Sequence, residues 1–293
     1  DVHEGETMVL IGTSGCGKTT TMKMINRLVE PTEGEIEVDG RNILDFSPVQ
    51  LRRGIGYVIQ SIGLFPHMTI GRNVGMVPEL MGWPREKTAS RSRELLSMVG
   101  LDPDTYFGRY PAELSGGQQQ RVGVARALAA DPPVVLMDEP FGALDPITRE
   151  QLQNEFLALV REIKKTIIFV THDIFEAVKI ADRIALMDRG RTVQVGTPKE
   201  IVERPADEFV SGFLGRHRFH LGLLLTRLKT VVTEAAETAA MEGCPSLGPD
   251  DSVLDALNCF KDSGGDYVAV RDAAGGLLGV VTRESIHEKV LEQ

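Results

Sequence analysis

Gly12-Thr-Ser-Gly-Cys-Gly-Lys-Thr19 constrains this chain more than any other segment. It fits the spacing G-x-x-x-x-G-K-[ST] and lies between a short apolar run, Met8 to Ile11, and a helical pattern from Thr19 to Leu28. Strand, glycine-rich turn and helix in that order make a phosphate loop. Glycines let successive backbone N–H groups close around phosphate oxygens, and the helix N-terminus adds partial positive charge. Gly12, Ser14, Gly15, Cys16 and Gly17 are expected to line the loop. Lys18 is expected to reach the β- and γ-phosphates, Thr19 to offer its hydroxyl to Mg²⁺, and Thr20 to contact the α-phosphate.

The flanking pattern predicts a parallel sheet. Pro133-Val-Val-Leu-Met137 ends at Asp138-Glu139, and Thr166-Ile-Ile-Phe-Val170 ends at Thr171-His172-Asp173. Short apolar runs with polar residues at their C-terminal ends are typical of buried parallel strands, and open α/β sheets bind ligands at those ends. Gln118 to Ala130 and Arg149 to Lys164 read as helices. Gly34-Glu-Ile-Glu-Val-Asp-Gly40 alternates as a half-exposed antiparallel strand does. The fold class is therefore α/β with a mixed sheet. Two adjacent carboxylates closing an apolar strand are costly to bury unless they serve a cation or a water. Asp138 suits Mg²⁺, and Glu139 suits a water polarised for attack on the γ-phosphate.

At 293 residues the chain exceeds one ordinary core, so two domains are expected. Its net charge of −10 divides into −5 for residues 1–216 and −5 for 217–293, and neither part has the basic excess of a nucleic-acid binder. Cys16, Cys244 and Cys259 lack CxxC spacing, which suggests neither a disulfide framework nor a zinc site and fits a reducing cytoplasm. The longest stretch without formal charge, Gly54 to Gly71, holds Gln60, Pro66, His67 and four glycines. No run approaches the roughly 20 apolar residues of a membrane span. The opening Asp1-Val-His-Glu-Gly5 has neither Met nor a leader pattern and reads as the start of a fragment.

Leu114-Ser-Gly-Gly-Gln118, taken alone, reads as a helix cap. In order with the phosphate loop, Gln60 in Tyr57-Val-Ile-Gln60, Asp138-Glu139, Ala143-Leu-Asp145 and His172, it resembles the ABC transporter ATPases over residues 1 to about 215. The resemblance implies a P-loop NTPase ABC cassette with a RecA-like core, a mixed sheet and a helical subdomain. It implies a head-to-tail homodimer with ATP held between the phosphate loop of one copy and Ser115, Gly116, Gly117 and Gln118 of the other. Two helix N-termini would then face the γ-phosphate. By the same resemblance Gln60 would touch Mg²⁺ and the attacking water, His172 would contact the γ-phosphate, and Asp145 would support the opposing subunit. The family's adenine-stacking aromatic is not among the eleven residues before Gly12, so that platform and the first strands are expected ahead of Asp1.

Gly63-Leu-Phe-Pro-His-Met-Thr-Ile70, Asn73-Val74 and the stretch from Gly196-Thr-Pro198 to Leu214 resemble importer ATPases. Thr19-Thr-Thr-Met-Lys-Met-Ile-Asn-Arg27 and Ala143-Leu-Asp-Pro-Ile-Thr-Arg149 resemble the quaternary-amine group, which imports glycine betaine, proline betaine, carnitine or choline. A boundary near Gly215 gives an ATPase domain of residues 1–215 and a small α+β domain of residues 216–293. In the latter, Asp251 to Leu257, Tyr267 to Val270 and Gly276 to Arg283 resemble one cystathionine-β-synthase-type (CBS) motif, in the order helix, strand, turn, strand, helix. Phe219 to Gly243 resembles a degraded first copy, so pairing would need a second chain. Ser285 stands where nucleotide-binding CBS motifs carry Asp, which speaks against an adenosine ligand. Arg216, His217, Arg218, His220, Arg227 and Lys229 form a basic cluster, read either as a solvated linker or as a salt-screened contact to anionic lipid.

The resemblance further implies ATP and Mg²⁺ as cofactors, permease subunits as partners, and an indirect link to an extracellular solute-binding protein. It implies a peripheral location on the cytoplasmic face of the membrane and no nucleic-acid partner. The leading expectation is MgATP hydrolysis that powers uptake of a quaternary-ammonium solute. The alternatives are an importer of another small solute, a soluble ABC ATPase of translation or DNA repair, and a nucleotide- or ionic-strength-sensing module without turnover.

Overall fold

The structure, a computed structural model, describes residues 1–60, 63–142, 146–233 and 244–291. Two compact units divide between Thr197 and Pro198.

The first unit is built on a six-stranded sheet. Its strands are β1 (Thr7–Gly12), β4 (Ile55–Val58), β5 (Val134–Asp138), β6 (Thr166–Val170), β7 (Arg183–Asp188) and β8 (Arg191–Gly196); β2 (Glu37–Val38) and β3 (Arg41–Asn42) form a separate hairpin. The order in the sheet is β4-β5-β6-β1-β7-β8, parallel throughout except for antiparallel β8. Val9, Ile11, Leu136, Met137, Ile167, Phe169, Ile184 and Leu186 are fully buried. Successive residues of one strand point to opposite faces, so both faces of the sheet are covered, as continuous apolar runs require. Because β1 lies between β6 and β7, the loop after it opens in the middle of the C-terminal edge, beside the ends of β5 and β6.

Two of the differences from the sequence-based element boundaries have a local backbone cause. The helix after the loop is Lys18–Ile25, and it stops before Leu28 because Arg27 takes a positive φ of 52°. The alternating acidic segment pairs over only two residues, closed by Asp39 and Gly40, both at positive φ. That is the requirement of a tight hairpin turn. Helices Ile70–Leu80, Arg85–Met98 and Gly116–Leu128 form a helical layer between β4 and β5 in the chain. Asn73, fully buried, fastens its entrance: Oδ1 accepts from the Phe65 amide at 2.8 Å, and Nδ2 donates to the Phe65, Met68 and Thr69 carbonyls.

The second unit begins at Pro198, ahead of the boundary read near Gly215. The reason is local: Arg218, on helix Arg218–Leu225, donates to the Val202 and Glu203 carbonyls at 2.8 and 2.9 Å, which ties helix Pro198–Glu203 to the C-terminal residues. Further on, β9 (Ser246–Leu247), helix Val253–Ser263, β10 (Tyr267–Arg271), β11 (Leu277–Thr282) and helix Arg283–Ile286 keep the expected order around a three-stranded sheet. Its core is Leu223, Leu228, Val253, Phe260, Val268, Val270, Val281 and Ile286. The proposed degraded first copy falls partly on residues 234–243, outside the described residues.

Candidate functional site

The phosphate loop is a tight backbone turn filled by a lysine. Gly12 ends β1 so close to β7 that a Cβ there would meet the Met187 carbonyl oxygen at 2.0 Å. Gly17, at φ 107°, is the N-cap of Lys18–Ile25. Lys18 is 8% exposed, and its Nζ donates to the Gly12 and Thr13 carbonyls at 2.9 and 3.1 Å. The ammonium therefore sits inside the loop, bonded to carbonyls that an anion could replace. Ser14, Gly15 and Thr20 are exposed around it, whereas Cys16 is buried.

Polar side chains from three strand ends meet here. Thr19 Oγ1 donates to Asp138 Oδ1 at 3.1 Å, across 119 residues of sequence. Asp138 is 6% exposed, and burial pushes its carboxyl above the usual carboxylate range; the Thr19 hydrogen bond opposes the shift and the charge of Glu139 adds to it. Tyr57, on the neighbouring strand, is raised by burial and then by the charge of Asp138. Glu139 turns out of β5 at φ 45°, an uncommon backbone for a non-glycine residue, fixed by its amide donating to the Val170 carbonyl at 3.0 Å. Its carboxylate has a polar neighbour on each side: Gln60 Nε2 donates to Oε2 at 3.0 Å, and His172 Nδ1 lies 3.4 Å from Oε1. The Gln60–Glu139 bond with His172 nearby and the Thr19–Asp138 pair thus stand beside the Lys18 loop at one edge of the sheet.

The remaining expected residues stand apart. Ser115 caps helix Gly116–Leu128, its Oγ accepting from the Gln118 amide at 3.3 Å. Gln118 answers through Oε1, which accepts from the Ser115 amide at 3.0 Å, and its Nε2 donates to the Tyr106 hydroxyl at 3.0 Å. Among the described residues no hydrogen bond links Ser115, Gly116, Gly117 or Gln118 to the phosphate loop. Ser115 and Gly116 are exposed. Asp145 lies outside the described residues.

Sequence reasoning missed Thr171, Glu176, Gln153 and Tyr106. Nothing in spacing marks them, because their roles arise from contacts between elements. Glu176 is 6% exposed and accepts from Thr171 Oγ1 and, at 3.1 Å, from Gln153 Nε2. Among the described residues no group of three or more His, Cys, Asp and Glu is arranged to hold a metal by itself. No described helix is long and apolar enough to cross a membrane.

The family model described as "ABC transporter" matches residues 1–142. The glycine betaine/carnitine/choline transport ATP-binding protein OpuCA of Bacillus subtilis is 52% identical over 288 residues, 98% of this chain and 74% of that protein. The choline transport ATP-binding protein OpuBA of the same organism is 62% identical over 217 residues, 74% of this chain and 57% of that protein. Among solved structures, a dimeric post-hydrolysis state of the ATP-binding cassette MJ0796, bound to ADP and Pi, aligns with a TM-score of 0.59 and 37% identity over 67% of this chain and 87% of that one. By sequence along nearly its whole length and by the fold of its first unit, the chain belongs to the ATP-binding subunits of ABC transporters.

Proposed function

We propose that this chain hydrolyses MgATP at a head-to-tail homodimer interface and thereby powers import of a quaternary-ammonium solute such as glycine betaine, carnitine or choline. The observation that carries the reading is the junction at Glu139, whose carboxylate accepts from Gln60 and lies 3.4 Å from His172 beside the Lys18 loop. A general base needs a fixed orientation before its substrate water arrives, and the Gln60 hydrogen bond supplies it, with His172 close on the other side. The names of the relatives carry the choice of solute.

Lys18 and the loop amides would hold the β- and γ-phosphates, with Ser14, Gly15, Cys16, Gly17 and Thr20 lining the remainder. The donor set fits Mg²⁺: Thr19, Asp138 and the Gln60 amide supply hard oxygens, and a carboxylate raised by burial gains from a cation beside it. Mg²⁺ bound there with ATP would neutralise charge on the β- and γ-oxygens. Glu139 would take a proton from the attacking water, and His172 would donate to the γ-phosphate. Ser115 and Gly116, exposed at a helix start, and Gly117, buried behind them, would offer their N–H groups to the γ-phosphate held by the opposing copy. Asp145 would act at the same interface. The reading puts the chain at the cytoplasmic face of the membrane against permease subunits, with an extracellular binding protein delivering the solute.

For residues 216–293 we propose a CBS-like regulatory role, supported by the order of helix Val253–Ser263, β10 and β11. The basic cluster carries less of this role than its composition suggests. Arg218 and Arg227 hold backbone carbonyls, and Lys229 pairs with Asp250 at 2.7 Å. Contact with anionic lipid would rest on the remaining charges.

The test is phosphate release from the full transporter in proteoliposomes. Glycine betaine, supplied with the binding protein, should stimulate MgATP hydrolysis, and Glu139→Gln should remove turnover while retaining nucleotide. Binding without turnover in the parent chain would favour a sensing module, and stimulation only by an unrelated solute would remove the quaternary-amine assignment.

A further inference from the structure

Glu176 is a buried carboxylate that the proposed chemistry does not use. It lies in the first turn of helix Ile174–Ile180, four residues after His172, and is 6% exposed. Burying a carboxylate is unfavourable unless its oxygens are hydrogen-bonded, and here both are. Oε2 accepts from the hydroxyl of Thr171, itself 2% exposed. Oε1 accepts from Gln153 Nε2 at 3.1 Å, on helix Pro146–Ile163.

These bonds decide the geometry of three residues. Thr171 Oγ1 also accepts from the Asp173 amide at 3.0 Å, so its hydroxyl hydrogen must point toward Glu176. Asp173 caps the next helix, accepting from the Phe175 and Glu176 amides at 2.8 and 3.4 Å. His172 is held between two pinned neighbours with its own side chain 64% exposed toward solvent and Nδ1 3.4 Å from Glu139. A small cavity of about 10 Å³, the space one water needs, is bounded by Glu139, His172, Thr171 and Glu176 together, so the buried network abuts the site.

We infer that Glu176 is a positioning residue for His172: by accepting from Thr171 and Gln153 it locks the Thr171–Asp173 loop and ties it to the helix that begins after Asp145. The inference rests on the proposed role of His172, but the lock itself has a readout that does not need turnover. Removing the acceptor leaves a buried hydroxyl and a buried amide unpaired and cuts the loop's tie to helix Pro146–Ile163. Glu176→Gln differs in kind. The Gln153 amide can rotate to present its oxygen to the new NH₂ group, while the other oxygen still accepts from Thr171.

The experiment uses the full chain in its transporter, with Glu176→Ala, Glu176→Gln, Thr171→Val and Thr171→Ser. In Glu176→Ala and Thr171→Val, kcat for MgATP should fall about tenfold with KM within about twofold, while Glu176→Gln and Thr171→Ser should recover most of the rate. In parallel, the His172 imidazole resonance, assigned with His172→Gln, should shift or broaden in Glu176→Ala and Thr171→Val and stay near the parent position in the two conservative variants. If the parent chain does not turn over, the proposed function fails while the resonance still tests the lock. If Glu176→Ala does not fold, the Thr171 pair decides. An unmoved His172 resonance, or a loss in kcat matched by the loss of folded protein, overturns the inference.

Discussion

Gln60 donates from Nε2 to Glu139 Oε2 at 3.0 Å, although 79 residues separate them in the chain. The bond joins the loop after β4 to the end of β5, so a displacement of one is felt at the carboxylate of the other. Gln60 therefore orients Glu139.

Gln60→Leu keeps the side-chain bulk and removes the bond. MgATP turnover should drop about tenfold or more, while binding of ATP, which the proposed function assigns mainly to Lys18 and the loop amides, stays within a few-fold. Comparing steady-state hydrolysis with nucleotide binding separates the two effects. Equal losses in both would mean that Gln60 acts on nucleotide rather than on Glu139.

The side chain of Gln118 is committed within its own chain, to the Ser115 amide and to Tyr106. A capping box stabilises a helix start by about 1 kcal/mol, and a neutral hydrogen bond contributes a similar amount. Tyr106→Phe should therefore destabilise the fold by about 1 kcal/mol and Gln118→Ala by more, since it loses both bonds. Urea unfolding of the two variants and the double variant checks this. The double variant should be little worse than Gln118→Ala, because both remove the same contact.

Two loop glycines should respond differently to alanine. At Gly12 a Cβ would strike the Met187 carbonyl at 2.0 Å, whereas at Gly15 it meets nothing within 4 Å and only the φ of 78° is unfavourable. Gly12→Ala should cost about 3 kcal/mol or more, and Gly15→Ala about 1–2 kcal/mol. Thermal unfolding without nucleotide gives the order directly.

Much of the first unit was legible because its strands are continuous apolar runs and its polar residues fall at their ends. β6 matches its predicted span, and Asp138, Glu139 and His172 stand where ligand chemistry was expected. What spacing could not carry were contacts between elements. The acceptor for Thr171 lies five residues ahead and its second donor 23 residues back, so no motif reports the network. Nor could spacing show the bonds that the Gln118 side chain makes within its own chain, to the Ser115 amide and to Tyr106, twelve residues upstream. The division near Gly215 was placed where the importer-like stretch ends, whereas Arg218 reaches back to Val202 and the compact unit begins at Pro198.

The buried position of Glu176 also gives stability a pH dependence. Burial raises its carboxyl above the ordinary value of 4.5, the hydrogen bonds from Thr171 and Gln153 oppose this, and the charge of Asp173 adds to it. The folded chain then holds that proton more tightly than the unfolded chain does. This contribution to stability is fully present below pH 4.5 and is lost as pH rises through the raised value. Glu176→Gln cannot titrate, so the stability of the parent chain relative to this variant should decline across that window and level off above it. Urea unfolding of both proteins at successive pH values measures the difference. A difference that stays flat with pH, or that grows in favour of the parent chain as pH rises, would contradict the raised carboxyl.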